Sequence, residues 1–243
     1  MMYRREGAGV LSISQPAHAW ISGQLLRRLV APQSETLCLV AEQHDLGWLD
    51  WDRAPPFDAA AGRPPSFREV GAAIHAPMWT LGVERALAAW GPEAALLISR
   101  HGGRIYRRFG LPSAGPQDAA AIHGYLAAQA PREAEWARAA GIDDAELDRR
   151  STLIAFVDAL SLAVCGALAA PVTLELPEAQ VRLTEAGAYD LRVAPWPFAG
   201  AGFEIEGQGR PLPDGGRFAD EAAMRDWIAA PQRQTFRTRL APG

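Results

Sequence analysis

The chain of 243 residues contains no lysine, so all 24 of its strongly basic side chains are arginines. This absence excludes catalysis through a lysine Schiff base and phosphate binding by a Walker-type lysine. A G-x-S-x-G element and a glycine-rich dinucleotide fingerprint are missing as well. The sequence therefore argues against serine hydrolases, P-loop proteins and Rossmann enzymes.

Cysteine is scarce, since only Cys38 and Cys165 occur, far apart and each in an apolar run. Without a Cys-x-x-Cys pair they are expected to be buried, inert thiols in a reducing compartment. The N-terminal segment lacks the apolar region of a signal peptide, and no apolar run reaches the roughly 18 residues of a membrane-spanning helix. Together with the alanine-rich, lysine-free composition, this predicts a cytoplasmic bacterial protein with no membrane partner.

The remaining composition is that of a globular protein, with 49% hydrophobic and 21% charged residues. The formal net charge is −4, whereas a broad nucleic-acid surface usually needs a basic balance. We therefore expect a small-molecule substrate rather than a nucleic-acid partner.

Hydrophobic periodicity divides the chain near Pro171. Before it, apolar residues recur at helical spacing, and Ser14 is expected to be the N-cap of the first helix. The predicted helices cover residues 14–31, 35–45, 67–90 with a break near Pro77, 92–101 closed by Gly102 and Gly103, 117–130, 132–140 and 144–169.

After Pro171 the sequence pattern changes. Apolar and polar residues alternate in VTLEL, YDLRV, FEIEG and TFRTRL, and one short helix is predicted at DEAAMRDWIAA. Such alternation predicts half-buried strands. The predicted fold class is therefore mainly α, with a helical bundle in residues 1–170. A small β-rich (α+β) C-terminal extension in residues 171–243 is expected to pack on it.

Four of the predicted helices carry a polar residue on their buried stripe. Asp158 stands in the apolar run AFVDALSLAVCG, where a carboxylate is costly unless it is paired or bound to a metal. Imidazoles and carboxylates from facing helices are the usual ligands of metal sites in bundles. The four residues are His18, His44, His101 and Asp158.

Asp45 follows His44 directly, and neighbours on a helix lie about 100° apart, so both reach one ion only from a helix that faces it closely. His18, His44, Asp45 and Asp158 form the predicted ligand set. Two imidazoles and two carboxylates suit Mn, Fe, Mg or Zn, without choosing among them.

The strings QPAHAWISGQL, AEQHDLGWLDWD, LLISRHGGRIY and VDALSLAVCG resemble an uncharacterised bacterial family within the range of the HD (His-Asp) metal-dependent phosphohydrolases. The resemblance covers most of the chain. It implies the same four ligands, an all-helical core and hydrolysis at a metal. In a two-metal variant of that superfamily, extra histidines lie between the His-Asp pair and the last Asp, which implies His101 and His123 as ligands of a second ion, bridged by Asp45.

One departure concerns phosphate binding. Many members of the superfamily continue the His-Asp pair with Gly-Lys, whereas here Gly47 is followed by Trp48. Guanidinium groups can replace a lysine on phosphate oxygens, and an indole can stack on a ring or base. The substrate-binding residues proposed on this ground are Arg100, Arg104, Arg107 and Trp48, with Arg108 as a further possible member of the clamp.

The sequence thus predicts a metal-dependent hydrolase of a phosphate ester or nucleotide, with one or two divalent ions per chain and with Asp45 and His101 as catalytic residues. Two alternatives stay open. A di-iron oxygenase can be built on the same scaffold, with His101 and His123 both bound to the second iron. A non-catalytic metal-binding or regulatory module would explain the departure at Trp48.

Overall fold

The computed structural model describes residues 1–187 and 189–243, with the side chain of Asp214 left out. Helices make up 54% of the chain and strands 20%. In chain order, the elements are β1 (Met2–Glu6), β2 (Gly9–Ile13), α1 (Gln15–Leu26), α2 (Glu35–Gln43), α3 (Leu49–Arg53), α4 (Ala72–Trp90), α5 (Pro92–Ile105), α6 (Leu111–Ser113), α7 (Pro116–Ala140), α8 (Asp144–Val164), β3 (Val172–Leu176), β4 (Ala179–Glu185), β5 (Leu191–Ala194), β6 (Phe203–Pro211), α9 (Glu221–Ala229) and β7 (Gln234–Pro242). Short 3₁₀ turns cover Leu46–Trp48, Phe67–Glu69 and Asp214–Gly216, and a π-helical turn covers Tyr106–Gly110.

The seven strands form one curled sheet in the order β1-β2-β6-β7-β5-β4-β3. Strands β5 and β7 run parallel, and every other neighbouring pair is antiparallel. The N-terminal hairpin joins the sheet where Leu11 and Ser12 pair with Pro211 and Arg210 of β6. Both ends of the sequence therefore contribute strands to the same sheet.

Two helices connect this sheet to the remaining helices. Helix α1 packs on β6 and α8 packs on β3, and the two helices contact each other. On their other side they meet α2 and α5, and α5 packs in turn on α4 and α7. The core lies between these layers, and the buried faces of α1, α2, α5 and α8 meet within it.

The predicted fold class is wrong, and so is the expectation of an all-α protein. The sheet has seven strands, and three of them, β1, β2 and β4, fall outside the predicted strand segments. The hairpin was missed because MYRRE and GVLSI are only five residues each, too short for a clear period, and pairing with β6 is not a local signal. The division into a domain of residues 1–170 and an extension of residues 171–243 stays a prediction.

Local signals placed several helix boundaries correctly. Ser14 caps α1, since its side chain accepts a hydrogen bond from the amide of Ala17 at 3.2 Å. Three expected breaks do not occur, because α4 continues through Pro77, α7 continues through Pro131 and α5 continues through Gly102 to Ile105. A single proline removes one helical hydrogen bond, which a packed helix can tolerate.

Gly102 serves close packing rather than helix termination. A Cβ atom at this position would lie 2.9 Å from the ring of Trp79 and 3.0 Å from the hydroxyl of Tyr125. The missing side chain lets α4 and α7 approach α5 beside His101. Across the described residues, no helix is long and apolar enough to cross a membrane.

Candidate metal centre

The structure brings together five side chains that four separate segments supply. His18 comes from the first turn of α1, His101 from α5 and Asp158 from α8, while His44 and Asp45 follow the end of α2. Four of the five are buried, and Asp158 keeps 14% of its side chain exposed. The cluster therefore lies in the core and reaches solvent most readily at Asp158.

The chain turns sharply between the two adjacent ligands. Helix α2 ends at Gln43, so that His44 is its C-cap, and Asp45 has left the helix with φ −98° and ψ 17°. The predicted helix over residues 35–45 is thus two residues too long. This turn overcomes the 100° separation of neighbours on a helix and lets both side chains point into one centre.

Gly47 allows the turn to sit against α4. A Cβ atom here would lie 2.0 Å from the carbonyl oxygen of Met78. Any larger residue would push the segment after Asp45 away from α4. The glycine after the His-Asp pair thus has a packing role that is independent of any phosphate.

The hydrogen bonds of two histidines leave their Nε2 atoms free to bind a cation. His44 Nδ1 lies 2.9 Å from the carbonyl oxygen of Ala41, an acceptor, so Nδ1 carries the proton. His18 Nδ1 lies 2.6 Å from the hydroxyl of Ser161, which itself donates to the carbonyl of Asp158. In both neutral rings the lone pair is then on Nε2, the atom that faces the carboxylates.

Each of the two free nitrogen atoms lies close to an oxygen of both carboxylates. His18 Nε2 lies 3.1 Å from Asp158 Oδ1 and 3.5 Å from Asp45 Oδ2. His44 Nε2 lies 3.5 Å from each of the same two oxygens. All four atoms are acceptors in the neutral-histidine form, so they repel one another unless a proton or a metal ion lies between them.

The spacing fits a metal ion. With metal–ligand bonds of about 2.0–2.2 Å, neighbouring ligand atoms lie about 2.8–3.6 Å apart, the shorter values belonging to octahedral and the longer to tetrahedral sites. The observed separations of 3.1–3.5 Å match this range with little rearrangement. The groups His18/His44/Asp45 and His44/His101/Asp158 each have their ligand atoms within 4.8 Å of one another. His44 offers a single free nitrogen, so both groups share its position.

His101 completes the cluster on the far side of Asp158. Its Nε2 lies 3.5 Å from Asp158 Oδ2, and its ring packs at 4.8 Å from that of His44 and at 5.8 Å from that of Trp79. Neither of its nitrogen atoms has a hydrogen-bond partner, and both are buried. A buried nitrogen atom without a partner costs about 1–3 kcal/mol, and a cation bound at Nε2 would remove this cost for that atom.

The electrostatics of the metal-free cluster agree with this geometry. Burial lowers the pKa of His101 to about 4, so its ring is neutral. Burial also acts against the charged form of His18, but hydrogen bonds with Asp158 and Asp45 outweigh it and raise the pKa of His18 well above 6.5. The pKa of Asp158 lies well below 3.8, since contacts with His18 and His44 outweigh its burial. Without a metal, a proton at His18 takes the place of the cation.

Several predicted site residues do not reach this cluster. His123 is exposed on α7 and belongs to neither group of potential ligands among the described residues. Arg100 pairs with Glu133 at 3.4 Å and Arg104 with Glu175 at 3.0 Å, while Arg107 is exposed. Within the described part of the chain, none of these arginines hydrogen-bonds to the cluster.

Trp48, which the sequence places among the candidate substrate-binding residues, is buried in the structure. Only 4% of the residue is exposed, and its ring lies 5.9 Å from that of His75. His75 in turn has its Nδ1 2.7 Å from the hydroxyl of Tyr106. Trp48 thus helps to fill the core below α4, and a stacking role toward a substrate stays a prediction.

The sequence reasoning missed the groups that support the ligands from behind. Ser161 contacts His18 Nδ1, and Ser22 donates to Ser161 at 3.0 Å. Trp79 packs on His101. The helical periodicity could have indicated these serines. Ser22 lies four residues after His18 and Ser161 lies three residues after Asp158, so each serine shares a helix face with a ligand.

A family model described as Protein of unknown function (DUF3891) matches residues 1–214. The chain belongs to this family. The DUF3891 match includes all five clustered side chains and the strands from β1 to β6. The comparisons with curated proteins and with solved structures find no match. The link to the HD superfamily therefore rests on the sequence resemblance alone.

Proposed function

We propose that this DUF3891 protein is a metal-dependent hydrolase of the HD type that acts on a phosphate ester or nucleotide. One observation carries the proposal: nitrogen and oxygen acceptors of His18, His44, Asp45 and Asp158 face one another in the core at the spacing of metal ligands. A buried arrangement of this kind is unfavourable unless a cation occupies its centre.

The ligands of the proposed ion are Nε2 of His18 and His44 and one oxygen each of Asp45 and Asp158. His101 is the fifth ligand in this proposal. Its low pKa keeps the ring neutral, which suits bonding to a cation better than a charged contact with phosphate. Three imidazoles beside two carboxylates favour Mn, Fe or Zn over Mg, which prefers oxygen ligands.

The residues around such an ion have different proposed roles. A divalent ion bound here supplies Lewis acidity, which activates water and polarises a phosphoryl oxygen. Asp45 is the carboxylate proposed to accept the proton of the attacking water. The packed surroundings of His18 and His44 keep bulk water out, and the 14% exposure of Asp158 marks the side from which a substrate approaches.

The reaction type draws on the order His, His-Asp and distant Asp, which resembles the HD phosphohydrolases. The nature of the substrate has less support. No lysine follows Gly47, and Arg100 and Arg104 are engaged with Glu133 and Glu175. Recruiting either arginine to a phosphate would require breaking an ion pair that is partly exposed, which costs only about 0–1 kcal/mol.

The di-iron alternative is less well supported. It needs His101 and His123 together at the second iron, whereas His123 is exposed on α7. The single free nitrogen of His44 also favours one ion in the centre. The non-catalytic alternative draws on the tight enclosure of the cluster, and it is separated from the hydrolase by turnover.

The test is elemental analysis of the purified protein beside Asp158→Ala, with His123→Ala as a matched histidine control outside the cluster. We expect about one equivalent of Mn, Fe or Zn in the wild type and in the control, and none in Asp158→Ala. The loaded protein is then assayed on p-nitrophenyl phosphate and on bis(p-nitrophenyl) phosphate.

Each other outcome selects a different conclusion. Equal metal content in Asp158→Ala would refute the assigned centre. Two irons per chain with a visible charge-transfer band would replace the hydrolase by the oxygenase. Stoichiometric metal without turnover of either ester would leave the non-catalytic module.

A further inference from the structure

Behind the ligands, two buried serines form a short chain of hydroxyl groups that ends at His18. Ser161 on α8 and Ser22 on α1 are both completely buried. The Ser161 hydroxyl lies 2.6 Å from His18 Nδ1, and the Ser22 hydroxyl donates to Ser161 at 3.0 Å. The hydroxyls therefore contact the edge of the imidazole that faces away from the carboxylates.

The hydrogen-bond capacity of Ser161 is completely used. A hydroxyl has one proton to donate and two lone pairs to accept with. The proton of Ser161 goes to the carbonyl oxygen of Asp158 at 2.7 Å, one turn earlier on α8. One lone pair accepts from Ser22, so the second lone pair is directed at His18 Nδ1.

This use of the hydroxyl decides which nitrogen of His18 carries the proton in the neutral ring. With its only proton given to a carbonyl, Ser161 can act at His18 solely as an acceptor. The proton of the neutral imidazole then lies on Nδ1, and the lone pair on Nε2 is aimed at Asp158 Oδ1, 3.1 Å away. The other tautomer would require Ser161 to turn its proton away from the carbonyl of Asp158 and toward Nδ1.

We propose that Ser161, held by Ser22, is a positioning residue that keeps His18 in the Nδ1–H tautomer and in the orientation needed to bind a metal ion. The inference rests on the proposed metal centre and adds to it a supporting group on the side remote from the ion.

The hydrogen bond between Ser161 and His18 differs from the one that holds His44. His44 is fixed by the backbone carbonyl of Ala41, which no substitution can remove. His18 depends on a side chain, so its orientation can be changed by mutation without touching a ligand. Outer partners of metal-bound histidines typically contribute about tenfold to a hundredfold to metal affinity.

The experiment compares zinc affinity, measured by competition with a chromogenic chelator, in the wild type, Ser161→Ala, Ser22→Ala and Ser151→Ala. Ser151 is the matched control, because it is a buried serine on the same helix whose hydroxyl donates to the carbonyl of Leu147 and contacts no histidine. We expect the dissociation constant for Zn²⁺ to rise about tenfold to a hundredfold in Ser161→Ala. Ser22→Ala should show a smaller rise, and Ser151→Ala none.

A second readout separates positioning from a merely structural role. In the zinc-loaded wild type the Nδ1–H proton of His18 should give a slowly exchanging, downfield proton resonance, and this resonance should be lost or shifted in Ser161→Ala. The unfolding temperature of each metal-free variant is measured beside it. Ser22→Ala keeps the inference testable even if Ser161→Ala does not fold.

The outcomes distinguish the inference from the function on which it rests. Tight zinc binding by the wild type, with unchanged affinity and an unchanged His18 resonance in Ser161→Ala and Ser22→Ala, would refute the role of Ser161 and leave the metal centre intact. A lower unfolding temperature with unchanged zinc affinity would do the same. Failure of the wild type to bind zinc, manganese or iron would refute both.

Discussion

Two of the buried polar clusters in the described part of the chain differ in whether their atoms have partners. Arg4 of β1 is only 1% exposed, yet its guanidinium bonds to Glu6 at 2.9 Å, to Thr238 at 3.0 Å and to the carbonyl of Val164 at the end of α8. Its planar face also lies on Phe236 at 4.4 Å. The protein thus supplies hydrogen-bond acceptors to Nε and Nη1 of this buried guanidinium and aromatic contact to its face.

The His/Asp cluster is the opposite case. Nε2 of His44 and both nitrogen atoms of His101 are buried without a hydrogen-bond partner. A protein that can complete the surroundings of Arg4 could equally have completed those of His101. The difference indicates that the Arg4 cluster is structural, whereas the His/Asp cluster is shaped for a group that the chain does not itself supply.

The largest effect is expected from Arg4→Met. The substitution leaves the hydroxyl of Thr238 and the carbonyl of Val164 without their partner in the core, so we expect a loss of about 3 kcal/mol in the free energy of unfolding, measured by urea titration. Arg5→Met, on the exposed face of the same strand, is the control and should change little. Metal content per folded molecule should stay the same, and a loss of metal in Arg4→Met would break the distinction between the two clusters.

Adding and removing metal tests the other cluster. An ion that binds only the folded chain stabilises it by about 2.7 kcal/mol at a hundredfold excess over its dissociation constant. For a chain of this size, that corresponds to a rise of roughly 5–10 °C in unfolding temperature. Calorimetry with and without a chelator measures it, and Asp158→Ala should show no rise. An equal rise in that variant would place the bound ion elsewhere.

His101→Ala sharpens the comparison within the cluster. We expect about a tenfold weaker affinity for Mn²⁺ or Zn²⁺, since one of five proposed ligands is lost. The metal-free variant should lose little stability, because the substitution also removes two buried nitrogen atoms that have no partners. Isothermal titration and thermal unfolding measure the two quantities, and a large loss of metal-free stability would make His101 a structural residue like Arg4.

Metal affinity should also depend on pH. The raised pKa of His18 means that a proton occupies the metal-free centre at neutral pH, and the ion must displace it. For each histidine that must release a proton, affinity is therefore expected to rise by about tenfold per pH unit up to the raised pKa of His18 or His44, and to level off above it. His101→Ala should keep this slope, because a pKa of about 4 leaves no proton to release there. A flat titration curve would contradict the protonated state of His18.

The cluster could be anticipated from the sequence far better than the fold. His18, His44 and Asp158 each stand at helical spacing from apolar neighbours, and this local period decides which side of a helix faces the core. The structure brings these residues together with Asp45 and His101, while metal binding itself stays a prediction. His123 has only Ile122 and Tyr125 as buried neighbours nearby, and its own position on the period points outward.

The sheet could not be anticipated in the same way. Strand β2 pairs with β6, and β5 pairs in parallel with β7. Because the paired strands are far apart in the sequence, neither pairing can be predicted from a short window of residues. The support of His18 by Ser161 is equally non-local, because it joins α1 to α8. Periodicity identifies the faces of elements, but which faces meet depends on the packing of the whole chain.

The pairing of Leu11 with Pro211 has a consequence for how the protein folds. Helix α1, which carries His18, packs on β6, so its final position is available only when a strand from near the other end of the sequence has been placed. Contacts between such distant parts of a chain slow folding, because the loop between them must close before any of them forms. Because α1 also packs on α2 and α8, we expect the formation of the sheet and the completion of the His/Asp cluster to be coupled.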